Sequence, residues 1–373
     1  VSNAIPNLVP APGVAGTKPY GVPKPAAVID LRLDGNEGVL PPPALFDALR
    51  EAGMEVARRY PDATSLTHAI AARLDVAASR VLVTAGADDA LDRACRSVLC
   101  AGRELIVATP TFEMIPRYVA LAGGTLVGVP WQRGPLPVGQ MLARVTPNTA
   151  AIVVVTPNNP NGLVATAEDL AALSRGAPHT LLVVDMAYGE FADVDLTREV
   201  LSLANAVMLR TMSKAWGLAG MRVGYAAGCE QAIQWMRAAG GPYAVSGPSL
   251  AVAEQWLATG ESAMCGFVDR VRRERGTLTA LLASLGAEAS ASQANFAFAR
   301  FANAALPSAQ VVYERLAQRG IAVRWFSARA EVADCLRITC PGDDAAFSRL
   351  TSAIISILNP SPSDRTFPRE TAP

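Results

Sequence analysis

The chain reads as an α/β protein, with a mainly parallel seven-stranded sheet in a large domain and a smaller α+β domain beside it. Three observations predict this. From about Val81 to Ala226, short apolar runs of strand length alternate with stretches of helical periodicity, as strands joined by crossover helices do. Gly and Pro then cluster at Pro242 to Pro248, and a long Ala-rich helical stretch begins near Ser249. Two polar residues that can do chemistry, Asp185 and Lys214, stand at or just beyond strand ends, where open α/β sheets bind their ligands.

Taken in order, residues 1–29 are rich in Pro, Gly and Ala and lack the charged-then-apolar order of a signal peptide, so they predict an irregular arm. A helix is expected over Pro42–Arg59, packing with the small domain and making that domain discontinuous in sequence. The strands of the large sheet are placed at Val81–Thr84, Leu105–Ala108, Thr125–Val129, Ala151–Thr156, Leu181–Asp185, Ala206–Arg210 and Arg222–Ala226. Between them, Asp88–Leu99 and Ala167–Ser174 have helical spacing and acidic first turns, which suit the positive end of the helix dipole. Helical spacing then runs from Ser249 towards Leu285. Strands at Phe296–Arg300, Ile321–Trp325 and Leu336–Thr339 alternate with helices at Ala309–Arg319 and Asp344–Leu358. The expected division is a large domain over 60–245, a small domain over 30–59 and 246–359, and a disordered tail over 360–373.

Composition narrows the function. With 373 residues, 51% of them hydrophobic, the chain can bury a large core, as soluble globular proteins of two or three domains do. Lys+Arg and Asp+Glu balance at 33 each, which removes the electrostatic case for nucleic acid or an anionic membrane surface. No long apolar span predicts a membrane helix. The six cysteines are scattered without a C-x-x-C pair, and His68 and His179 are the only histidines, so no metal site is expected. Free buried thiols fit a reducing, cytoplasmic setting.

The run from Arg210 to Tyr225 holds an amine nucleophile, hydroxyls and a second cation in a glycine-hinged loop. Lys214 can bond covalently to a carbonyl cofactor, while Thr211, Ser213 and Arg222 can hold a phosphate. An exposed lysine between strands is the ordinary alternative. Together the set points to pyridoxal 5'-phosphate. Gly86, Ala87 and Asp88 open a helix after a strand, so their N–H groups face an anion; tight strand-to-helix packing would read the same way. Asp185 ends a wholly apolar strand and needs a partner, for which a protonated pyridine nitrogen would serve, as would the N–H groups of a following turn. Arg324 and Arg337 lie in apolar strands where an unmatched charge costs several kcal/mol, so each is expected to meet an anion, structural or bound.

Nearly residue for residue, the Lys214 run resembles the lysine motif of fold-type I pyridoxal phosphate enzymes, and in particular of the histidinol-phosphate aminotransferase family. The resemblance runs from about Leu31 to Gly342 and includes Tyr60-Pro61-Asp62, Pro110-Thr111-Phe112, Pro157-Asn158-Asn159-Pro160-Asn161-Gly162 and Asp185-Met186-Ala187-Tyr188 in the family order. It implies that Phe112 stacks on the cofactor ring and that Asn159 and Tyr188 meet its 3-oxygen. It further implies that Tyr60 reaches the cofactor phosphate of a neighbouring subunit in a homodimer with shared sites. Arg324, Arg337, Asn159 and, from the arm, Tyr20 would bind a donor with an anionic end. Departures occur at Met186, where the family has Glu, and over Asn36-Glu37-Gly38-Val39-Leu40-Pro41-Pro42, where it has Asn-Glu-Asn-Pro-Tyr-Gly-Pro. They leave room for an aromatic or other amino acid as donor in place of histidinol phosphate, with a 2-oxo acid as acceptor, or for decarboxylation or oxidation on the same scaffold.

Overall fold

The computed structural model describes residues 9–15, 17, 19, 21 and 27–359. Tyr20, much of the arm and the 360–373 tail lie outside the described residues. In chain order the strands are β1 (Leu31–Leu33), β2 (Val81–Thr84), β3 (Glu104–Thr109), β4 (Thr125–Pro130), β5 (Thr149–Val155) and β6 (Leu181–Asp185). There follow β7 (Ala206–Thr211), β8 (Gly224–Gly228), β9 (Glu288–Ala289), β10 (Phe296–Arg300), β11 (Ile321–Trp325) and β12 (Cys335–Thr339).

The large sheet has the order β2-β8-β7-β6-β5-β3-β4. Its strands β3 to β7 run parallel, and β8 lies antiparallel between β2 and β7. Strands β5, β6 and β7 are buried at every position, as their unbroken apolar runs require in a sheet covered on both faces. Alternation shows in which core each residue joins. Ile106 and Ala108 pack on one face, Leu105 and Val107 on the other.

The expected seventh strand starts two residues late, at Gly224, because Arg222 adopts a left-handed φ of 53° and closes a short turn. The small sheet has the order β1-β11-β12-β10-β9. Its first strand, three residues long, is too short to stand out as a pattern and is held by parallel pairing to β11. The helix expected over Pro42–Arg59 is instead a 3-10 turn, Pro43–Phe46, and two short helices, Asp47–Ala52 and Glu55–Arg58. Gly53, at φ 66°, interrupts it. The Ala-rich stretch likewise divides at Gly260, into helices Gly247–Thr259 and Glu261–Ser284. Among the described residues, no helix is long and apolar enough to cross a membrane.

Candidate active site

Strands β5, β6 and β7 run side by side to Val155, Asp185 and Thr211, and a cleft of about 210 Å³ lies over these ends. Arg324 of β11 and Arg337 of β12 line it from the small sheet. Asp185 is 4% exposed, and burial pushes its carboxyl up to about 6, although the Ala187 N–H and the Lys214 charge pull the other way. One carboxylate oxygen accepts the Ala187 N–H at 3.0 Å. The turn expected from an aspartate at a strand end is therefore present, yet it offsets only part of the cost of burying the charge.

Lys214 reaches into the same cleft from the loop after β7 and donates from Nζ to the Gly35 carbonyl at 3.0 Å. Its ammonium lies 5.8 Å from the centre of the Tyr188 ring. Tyr188 accepts at its hydroxyl oxygen a hydrogen bond of 3.0 Å from the Asn36 side-chain amide. That leaves the phenolic hydrogen available to the cleft. Asn36 is itself fixed, since its amide oxygen accepts from the Thr339 hydroxyl at 2.7 Å and its carbonyl from Asn295 at 3.2 Å. The segment crosses close to the lysine loop, and a Cβ on Gly38 would run into the Lys214 carbonyl. Glycine at this departure from the family pattern thus has a steric cause.

The second end of the cleft is a polar cup. Gly86 begins the 13-residue helix Gly86–Val98, whose first N–H groups have no partner within the helix. Thr211 and Ser213 share a hydrogen bond of 2.9 Å, and Arg222 reaches the Ser213 hydroxyl at 3.4 Å and the Asp88 carboxylate at 3.2 Å. A Cβ on Gly224 would come within 2.6 Å of the Gly86 carbonyl carbon and 2.8 Å of the Ala87 nitrogen. Close packing of β8 on the helix start therefore requires glycine there.

Between cup and arginines, half-buried Phe112 lines one wall. Buried Asn159 accepts from Arg337 Nη1 at 2.8 Å, and Arg337 Nη2 donates to the Asp34 carbonyl at 2.6 Å. Arg324 meets the Glu113 carboxylate, with Nη2 at 2.8 and 3.2 Å from its two oxygens. Both guanidinium groups lie over aromatic rings, Arg324 5.5 Å from the Phe326 centre and Arg337 5.4 Å from that of Phe296.

The class I and II aminotransferase family model matches residues 30–354. This chain belongs to that family. A histidinol-phosphate aminotransferase of Rhodospirillum centenum is 36% identical over 347 residues, covering 89% of this chain and 93% of that one. An aromatic amino acid aminotransferase of Mycobacteroides abscessus is 32% identical, with coverage of 87% and 92%. Among solved structures, histidinol-phosphate aminotransferase from Sinorhizobium meliloti, in complex with pyridoxal-5'-phosphate, is similar at a TM-score of 0.80 and 27% identity, covering 89% and 91%. The fold is that of the fold-type I transferases, the enzyme is a transaminase, and its cofactor is pyridoxal phosphate.

The aminotransferase's cleft fits that cofactor on its own chemistry. A buried carboxylate whose partner among the described residues is an N–H, a lysine amine and a polar cup at a helix start stand around one space. Ala87, Asp88, Phe112, Asn159, Asp185, Tyr188, Thr211, Ser213, Lys214, Arg222, Arg324 and Arg337 all line it. Gly86 stands just behind, where a Cβ would lie 2.8 Å from Arg222. Tyr60 does not join them; it is 81% exposed and stacks on Tyr243, ring centres 4.5 Å apart. Asp34, Gly35, Asn36, Glu113, Val155 and Ala187 also line the cleft and were not among the residues expected there from the sequence. Asn36 stood in a motif but carried no chemistry of its own, and Glu113 was one carboxylate among 33 acidic residues with nothing to single it out.

Proposed function

We propose that this aminotransferase takes a small amino donor with an anionic end, histidinol phosphate first among candidates, and passes the amino group to a 2-oxo acid. The two arginines facing each other across β11 and β12 carry this reading. Neither would be held in an apolar strand for packing alone. When bound, pyridoxal phosphate supplies an electron sink for the bonds at the donor carbon. Asp185 would hold the protonated ring nitrogen, and Asn159 and Tyr188 would meet the 3-oxygen. Phe112 would stack on the ring, and the cup formed by Gly86, Ala87, Asp88, Thr211, Ser213 and Arg222 would hold the phosphate. Lys214 then serves twice, as covalent anchor and, through Nζ, as the group that moves a proton at the donor carbon.

The domain division of 60–245 against 30–59 and 246–359 is part of the same proposal, and places the cleft between the two sheets. So is a homodimer. Tyr60 and Tyr243 form an exposed aromatic pair, with Leu40 at 87% and Met54 at 83% exposure on the same stretch of chain as Tyr60. A tyrosine left outside its own cleft suits the role of reaching a neighbour's. All six cysteines are free thiols, which supports a cytoplasmic enzyme, although only Cys95, Cys335 and Cys340 are buried as expected and Cys100 and Cys265 are exposed.

A second reading has an observation of its own. Because Glu113 already neutralises Arg324, an uncharged ring could sit against Phe326, as an aromatic donor would require. Arg337→Ala separates the two. Loss of a charge-assisted bidentate contact should raise the apparent donor constant for a phosphate-ended amine by roughly ten- to a hundredfold, and barely alter that for phenylalanine. Equal weakening of both donors would sink the anionic-end reading.

A further inference from the structure

Arg324 and Arg337 are directly opposed residues of antiparallel neighbours, so two positive charges converge on one end of the cleft. Their partners differ in kind. Two of the hydrogen bonds Arg337 makes go to neutral oxygens, the Asn159 amide and the Asp34 carbonyl, whereas Arg324 grips a full carboxylate with one terminal nitrogen. Its other terminal nitrogen, Nη1, is buried without a hydrogen-bond acceptor among the described residues. Side-chain exposure is 9% for Arg324 and 29% for Glu113, so the pair is partly shielded, with the carboxylate on the more open side. Glu113 stands at the start of the helix Met114–Leu121, immediately after Phe112, and both line the cleft. The ion pair therefore ties the large sheet's β3 loop to the small sheet across the donor's own space.

We propose that Glu113 is the charge selector of this site, an internal carboxylate that occupies Arg324 until a donor's anionic end displaces it. The inference rests on the anionic-end reading above and adds to it a residue that sets how much negative charge the site accepts. With Glu113 in place, the charge of Arg324 is already met by a carboxylate, so a donor's anionic end arrives beside a like charge. A dianion such as a phosphate ester must move Glu113 aside before it can reach both guanidinium groups, because two anions a few ångströms apart in a shielded site repel strongly. An uncharged ring leaves the pair undisturbed. Glu113 touches no reacting atom in this scheme; it decides which tail is tolerated.

The test uses holoenzyme, whose phosphate cup is already filled by cofactor, and three amine-free ligands that cannot react: 3-phenylpropyl phosphate, 3-phenylpropionate and 3-phenylpropanol. Dissociation constants are read by calorimetry for wild type and Glu113→Gln. Removing the competing charge should tighten the phosphate by roughly tenfold and the carboxylate by less, and leave the alcohol within about twofold. Arg324→Gln in the same background should erase the gain. Should Glu113→Gln fold poorly, Glu113→Asp withdraws the carboxylate by one methylene and should give a smaller gain in the same order of ligands. If all three ligands shift together, or the phosphate binds more weakly, Glu113 only orients Arg324 and the proposal is overturned while the anionic-end reading stands. If wild type itself prefers the alcohol to both anions, the anionic-end reading falls and takes the proposal with it.

Discussion

Asp185 and Lys214 were legible as single residues because each breaks or follows a run of apolar side chains at a strand end, and the structure sets both on the one cleft. Lys214→Ala should abolish turnover while the cup still binds cofactor, since no cup contact involves the lysine amine; retention of normal turnover would refute its assigned role. Asp185 permits a prediction in pH. Its folded value of about 6 lies above the 3.8 of an unperturbed aspartate, so the cofactor-free fold holds the proton more tightly than the unfolded chain does. The stability this contributes is fully present below about pH 4 and is lost as pH rises through about 6. Asp185→Asn has nothing to ionise there. Cofactor-free wild type should therefore lose on the order of 3 kcal/mol relative to that variant across this window, measured by denaturant unfolding at each pH. Parallel curves for the two proteins would mean that the carboxylate is already matched by a charge.

At the scale of elements, short apolar runs alternating with helical spacing located the strands to within a residue or two at most ends. The errors lie where short elements depend on distant partners. Three-residue β1 exists because β11 pairs with it, and the 42–59 stretch is broken where Gly53 takes a positive φ. Local signals also decide stability without touching the site. Thr166 caps the helix Ala167–Gly176, accepting the Asp169 N–H at 3.1 Å while the Asp169 carboxylate accepts the Thr166 N–H at 2.9 Å. Thr166→Ala should cost about 1 kcal/mol of stability and leave cofactor affinity unchanged. Gly224→Ala should do the reverse damage. A methyl there forces β8 off the helix start, so cofactor binding should weaken well before the fold does, as equilibrium dialysis with pyridoxal phosphate would register.

For the whole molecule, the decisive question is whether two chains share their sites. Tyr60 stacks on Tyr243 at the surface of one chain, outside that chain's own cleft. A shared site makes a specific forecast for hybrids. Chains carrying Tyr60→Ala and chains carrying Lys214→Ala, mixed and allowed to exchange, should regain activity, because one of the two sites in each hybrid dimer then has an intact lysine and an intact neighbouring tyrosine. Mixtures no more active than the better parent would show that Tyr60 does not serve a neighbour's site.

The sequence by itself determined the sheet class, the family and which side chains could carry the chemistry, because apolar periodicity and strand-end polar residues are properties of a few neighbours along the chain. Pairing was decided only by the tertiary structure. Nothing local says that Asn36 would donate to Tyr188, or that Gly38 would lie against the lysine loop. Arg324 and Glu113 are 211 residues apart. A charge buried on one strand must find its counterpart wherever the fold brings an opposite charge within a few ångströms, and that distance is set by how two sheets are placed across a cleft.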